Sequence, residues 1–113
     1  MADRERVRWH LMQAKRNAQD AIEGRSRLGN SWAVDPVTRA GITKLVETTA
    51  EYMGNIPLEI QGKFPDVPWK EMAGMRNLTS HEYHRLDLEI VETTIAVDLP
   101  KLIAQIDRML AAV

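Results

Sequence analysis

Periodicity constrains this chain more than any other feature. Apolar residues recur at helical spacing along almost its whole length, and no stretch alternates apolar with polar as a half-buried strand does. In the first segment Val7, Leu11, Ala14, Ala18, Ala21 and Ile22 fall on one stripe, predicting a helix from about Asp3 to about Arg27. The peptide LGNS closes it, because Gly29 and Asn30 tolerate the left-handed conformation that ends helices. Asp35-Pro36 opens a second helix, aspartate as cap and proline preorganised for the first turn, with Ile42, Leu45, Val46, Thr49, Tyr52, Met53 and Ile56 as its buried stripe. Gly54, Asn55 and Pro57 predict a kink there. The loop FPDVPW offers Asp66 as a cap and Pro68 at the start of a short helix over roughly Pro68 to Asn77. Leu86, Ile90, Val91, Thr94 and Ile95 form a further stripe, and Leu99, Leu102, Ile103, Ile106, Leu110 and Val113 a last one, jointed at Asp98 and Pro100. The expected fold class is therefore all-α, an up-and-down helical bundle of four long helices with one short inserted helix. Its 113 residues suffice for one core and not two, so residues 1–113 are expected to form a single domain.

Composition removes several functions. An apolar fraction of 44% with 27% charged residues excludes a disordered or collagen-like chain, and the absence of cysteine removes disulfides, thiolate catalysis and cysteine-bound metal. No apolar run approaches the roughly 18–20 residues that span a bilayer, and the N-terminus lacks the apolar segment of a secretory signal, so a cytoplasmic protein without membrane contact is expected. The net charge of −1 provides no globally basic field for RNA. Charge is nevertheless uneven: residues 1–27 carry seven basic groups against four acidic ones. Such a basic helix could face phosphates, although a solvated helix face is the commoner use.

Two of the three histidines fall in HEYH at 81–84, where a metal site must be tested first. It fails, because His-Glu-x-x-His needs four-residue spacing to put both imidazoles on one face, and His81 and His84 are three apart. No histidine follows an acidic residue by three, as a di-iron bundle requires. No metal and no cofactor are expected.

The peptide MRNLTSHEY sets Arg76, four residues, His81, one residue, then Tyr83. With this motif the chain resembles the HepT-like toxins of the HEPN superfamily, and the preceding FPDVPWKEMAG, the following LDLEIVETTIAVDLPKLIAQI and the upstream helix bearing Glu47 resemble it in order and spacing. The resemblance covers roughly Pro36 to Ile106. It implies a metal-independent endoribonuclease in which Arg76 and His81 act on the RNA backbone. It also implies a minimal nucleotidyltransferase antitoxin as partner, with Tyr83 as acceptor of transferred AMP. The chemistry is compatible: histidine titrates near neutrality and serves as base or acid, while arginine stays charged and offers donors matched to phosphate oxygens. Asn77 is a candidate for orienting the phosphate, or equally a helix-terminal cap. The same residues also fit plain packing and surface ion pairing, and a non-catalytic helical module that binds a nucleotidyltransferase is the alternative function. Trp9, Trp32 and Trp69 fit core or interface anchors better than base-stacking platforms, and His10 fits the surface.

Geometry adds a condition. In one straight α-helix five residues turn by about 500°, so Arg76 and His81 would point some 140° apart. Either the helix breaks between them, or a second subunit completes the cleft. The resemblance favours a twofold homodimer with two copies of the motif along one groove.

Overall fold

A computed structural model describes residues 2–77 and 88–113, and all regular structure among them is helical. The first helix, α1, runs Ala2–Leu28. Val7, Leu11, Ala14, Ala18 and Ala21 are buried as their stripe requires, whereas Ile22 is only partly covered. Three of these five are alanines, which let neighbouring helices approach closely. Gly29 ends α1 at φ 58°, the single positive φ among the described residues, so Asn30 does not share that role. A 3₁₀ turn, Gly29–Ala33, then buries Trp32.

The second helix, α2, is Pro36–Gly54. The Asp35 carboxylate accepts from the Thr38 backbone N–H at 2.8 Å and from its hydroxyl at 2.9 Å. These bonds, the backbone one foremost, hold the Asp35 carboxyl below its ordinary range. Ile42, Val46, Thr49, Met53 and Ile56 are buried, and so are Thr43, Glu47 and Ala50, which widen the expected stripe. The kink expected at Gly54–Pro57 is instead a stop. The helix ends at Gly54, and Pro57, with no N–H to donate, precedes the one-turn helix α3, Leu58–Gln61.

Asp66 does not cap the next helix. Its carboxylate accepts from Arg108 at 2.5 Å and its backbone carbonyl from Gln105 Nε2 at 3.0 Å, fastening the loop to the far end of the bundle. Helix α4 is Trp69–Gly74, shorter than expected, and Met75–Asn77 continue as a 3₁₀ turn.

The C-terminal part comprises α5, Leu88–Thr93, a π-helical turn over Thr94–Asp98, and α6, Leu99–Ala112. The joint expected at Asp98 and Pro100 is this π turn, through which the backbone stays helical. Pro100 has no N–H for the carbonyl four residues before it and crowds that carbonyl, and a wider turn relieves both problems. The Leu99 N–H accordingly bonds the Thr94 carbonyl, five residues back. Val91, Thr94, Ile95, Leu99, Leu102 and Ile106 are buried, whereas Ile90, expected in the stripe, is 49% exposed. Helix α1 packs against both α2 and α6.

The basic groups of α1 are largely committed to this packing. Arg8 donates to the carbonyls of Leu110 and Val113 at 2.8 and 2.9 Å, and Lys15 pairs with Asp107 at 2.6 Å. Arg25 lies 2.5 Å from Glu92, whose other oxygen accepts from Trp32 Nε1 at 2.9 Å. The Arg25 contact is an ion pair without good hydrogen-bond alignment, since Arg25 Nε and Glu92 Oε2 are otherwise unpartnered.

Candidate functional site

Helix α4 carries the motif arginine to its place. Pro68 precedes the helix, Trp69 Nε1 donates to the Phe64 carbonyl at 3.0 Å, and Met72 is buried. Past Gly74 the winding tightens, and the 3₁₀ turn lies against α2. Met75 is half-buried against the core, while Arg76, next along, is exposed.

Its guanidinium lies on Gly54, the last residue of α2. A Cβ at Gly54 would stand 2.5 Å from Arg76 Cζ and 2.8 Å from Nε, inside any allowed contact, with Nη2 closer still. Arg76 forms no ion pair among the described residues. It also meets a favourable field: a helix C-terminus carries about half a negative charge, and the last turn of α2 contains no basic residue of its own.

Glu47 precedes Gly54 by seven residues, a rotation within about 20° of two full turns, so both occupy one face of α2. It is 1% exposed, and Lys44 Nζ lies 3.8 Å from its carboxylate. Beside this face a cavity of about 140 Å³ opens between α2, α4 and the π turn, with Thr49, Ala50, Met72, Met75 and Thr94 among its walls. The π turn thus borders the segment that presents Arg76.

A wider groove of about 760 Å³ lies at the other side of the α2 terminus, where Arg6, His10, Asn55 and Lys63 mix with Asp3 and Glu59. His10 packs edge-on to Trp9, with ring centroids 5.0 Å apart, and tilted to Tyr52 at 5.9 Å. Burial first, and Arg6 second, push its imidazole below the ordinary pKa. Among the tryptophans Trp32 is core, Trp69 is half-buried and Trp9 is 52% exposed.

Of the motif residues, Arg76 stands in the 3₁₀ turn that Asn77 closes, and His81 and Tyr83 lie outside the described residues. Among the described residues no group of three His, Asp or Glu side chains is arranged to hold a metal ion. No helix among them is long and apolar enough to cross a membrane.

The family model described as "Ribonuclease HepT-like" matches residues 11–109. The chain belongs to the HepT-like family. A candidate RNase of Caldanaerobacter subterraneus subsp. tengcongensis is 37% identical over 76 residues, which is 67% of this chain and 68% of that one. A candidate RNase of Methanocaldococcus jannaschii is 28% identical over 102 residues, 89% of this chain and 94% of its own. The protein named "Probable ribonuclease HepT" in Thermococcus cleftensis is 29% identical over 75 residues, covering 66% and 68% of the two chains. No solved structure matches the chain significantly.

For a HepT-like chain, two described features of this site escape sequence reasoning. Glu47 enters only through the resemblance, since a glutamate in KLVETT reads as an exposed position. Gly54 reads as a helix breaker, and nothing local announces that a side chain 22 positions later will rest on it.

Proposed function

We propose that this HepT-like chain is a metal-independent endoribonuclease, the toxin of a two-component module, acting through Arg76 and His81. The observation that carries the reading is an exposed arginine at the family's motif position, seated against a helix terminus and free of any described ion pair. Such a group is available to a phosphate. In the proposed reaction His81 accepts the proton of a ribose 2′-hydroxyl, and that oxygen attacks the adjacent phosphorus. Arg76 stabilises the extra negative charge of the phosphorane, with Asn77 as an orienting donor. The 5′-oxygen departs with a proton returned by an imidazolium, leaving a 2′,3′-cyclic phosphate and a 5′-hydroxyl. A homodimer supplies two copies of Arg76 and His81 along one RNA path.

Control falls to Tyr83. A partner nucleotidyltransferase joins the phenol oxygen to the α-phosphorus of ATP and releases pyrophosphate, so that AMP places bulk and negative charge where the RNA backbone must lie. The test is expression with and without that partner, reading growth and RNA integrity. Growth arrest with RNA fragmentation, relieved by the partner, is expected. Normal growth with intact RNA, from a chain that still binds the partner, would replace this reading with a non-catalytic binding module.

A further inference from the structure

We propose that Gly54 is the positioning residue of Arg76: its missing side chain makes the seat from which the guanidinium meets a phosphate. The inference rests on the ribonuclease reading for its purpose, though not for its geometry.

Glycine at a helix end usually supplies a left-handed backbone. Gly54 does not, since Gly29 alone among the described residues has positive φ, and Asn55 after it has helical φ and ψ of −86° and −2°. An alanine would therefore suit the backbone here and, by restricting the unfolded chain, should leave α2 as stable or more so. What alanine does not fit is the space. The three heavy atoms that such a Cβ would meet first, Nη2, Cζ and Nε, all belong to the Arg76 guanidinium. The obstacle is the free end of a long side chain, so the conflict resolves by moving Arg76 and leaves the helices alone. Helix α2 thus offers Arg76 both a flat surface and the negative end of its dipole, and a single methyl group cancels the first.

The experiment compares wild type with Gly54→Ala, Arg76→Ala and Gly54→Ala/Arg76→Ala. Three quantities are read: turnover of an RNA oligonucleotide, thermal unfolding, and the Arg76 Nε–H resonance, assigned by its loss in Arg76→Ala. Misplacing a charge-stabilising group by about 1 Å lowers turnover by up to roughly 100-fold. Gly54→Ala is expected to lose about 10- to 100-fold in kcat with little change in KM. Its Tm should equal or exceed that of wild type, and its Arg76 resonance should show the fast motion of an unseated side chain. In the Arg76→Ala background the same substitution should cost nothing further. A lowered Tm in both backgrounds, or an Arg76 resonance and kcat both unchanged in Gly54→Ala, would overturn the inference. If wild type cleaves no RNA, the ribonuclease reading fails, and the Arg76 resonance still decides whether Gly54 seats the arginine.

Discussion

Lys15 and Arg76 are both cations at the surface, but Lys15 is neutralised by Asp107 at 2.6 Å while Arg76 rests on a glycine with no described counter-ion. That difference, invisible in a charge count, separates a packing residue from a candidate phosphate ligand. Tyr83 admits an equally sharp distinction. Tyr83→Phe should still fold and cleave RNA, yet escape the partner, and mass spectrometry after incubation with partner and ATP should find increments of roughly 329 Da on wild type alone. Equal modification of both would move the acceptor, with Tyr52 the other tyrosine. His10 gives a pH dependence. Its Nδ1 is buried without a hydrogen-bond partner, and burial with Arg6 lowers its folded-state pKa. The unfolded chain then binds the proton more tightly, so stability is full above the unfolded value of about 6.5 and falls as pH drops through the folded one. Urea unfolding at pH 7.5 and pH 5 should show this loss in wild type and a smaller one in His10→Gln. Glu92 behaves as a carboxylate should: the adjoining Arg25 guanidinium first and the Trp32 hydrogen bond second depress its pKa, so its contribution is present above about pH 4.3 and lost on acidification. The stability gap between wild type and Glu92→Gln should close as pH falls toward 3.

At the scale of the element, the alanine stripe of α1 makes the strongest claim about packing. Ala14, Ala18 and Ala21 are fully buried, so Ala18→Leu should overpack the interface and cost about 1–3 kcal/mol in chemical denaturation. A neutral result would mean that α1 is less closely packed than its burial implies. This stripe was legible in sequence, as were the Asp35 cap and the Gly29 stop, because each depends on local spacing or backbone chemistry. Other features depend on partners distant in sequence. Asp66 reads as a cap until Arg108 and Gln105 arrive from α6 to bind it, and Ile90 reads as core although it is 49% exposed. Pro100 announces a disturbance, but whether the chain breaks or widens into a π turn is settled by packing on both sides. The candidate site divides the same way. Arg76 was legible as a motif position, whereas its seat on Gly54 arises only when the 3₁₀ turn lies against α2, and the burial of Glu47 only when the chain folds around that helix.

The whole molecule measures 44 × 29 × 23 Å, its long axis close to the roughly 40 Å that a 27-residue helix spans. The winding is already 3₁₀ over Met75–Asn77, and residues 78–87, with His81 among them, lie outside the described residues. A homodimer joined through the 68–85 region remains the proposed arrangement, and sedimentation at micromolar concentration should give about twice the 12.9 kDa chain mass. A clean monomer would remove the two-copy cleft while leaving the chemistry of a single Arg76–His81 set open to test. That chemistry is decided by the single-turnover cleavage rate of purified protein on labelled RNA in excess EDTA, for wild type, Arg76→Ala and His81→Ala. Wild type should cleave at full rate in the chelator, with each variant slower by about 10²–10⁴-fold at unchanged helicity. Wild-type cleavage that vanishes with EDTA, or survives intact in His81→Ala, would contradict it.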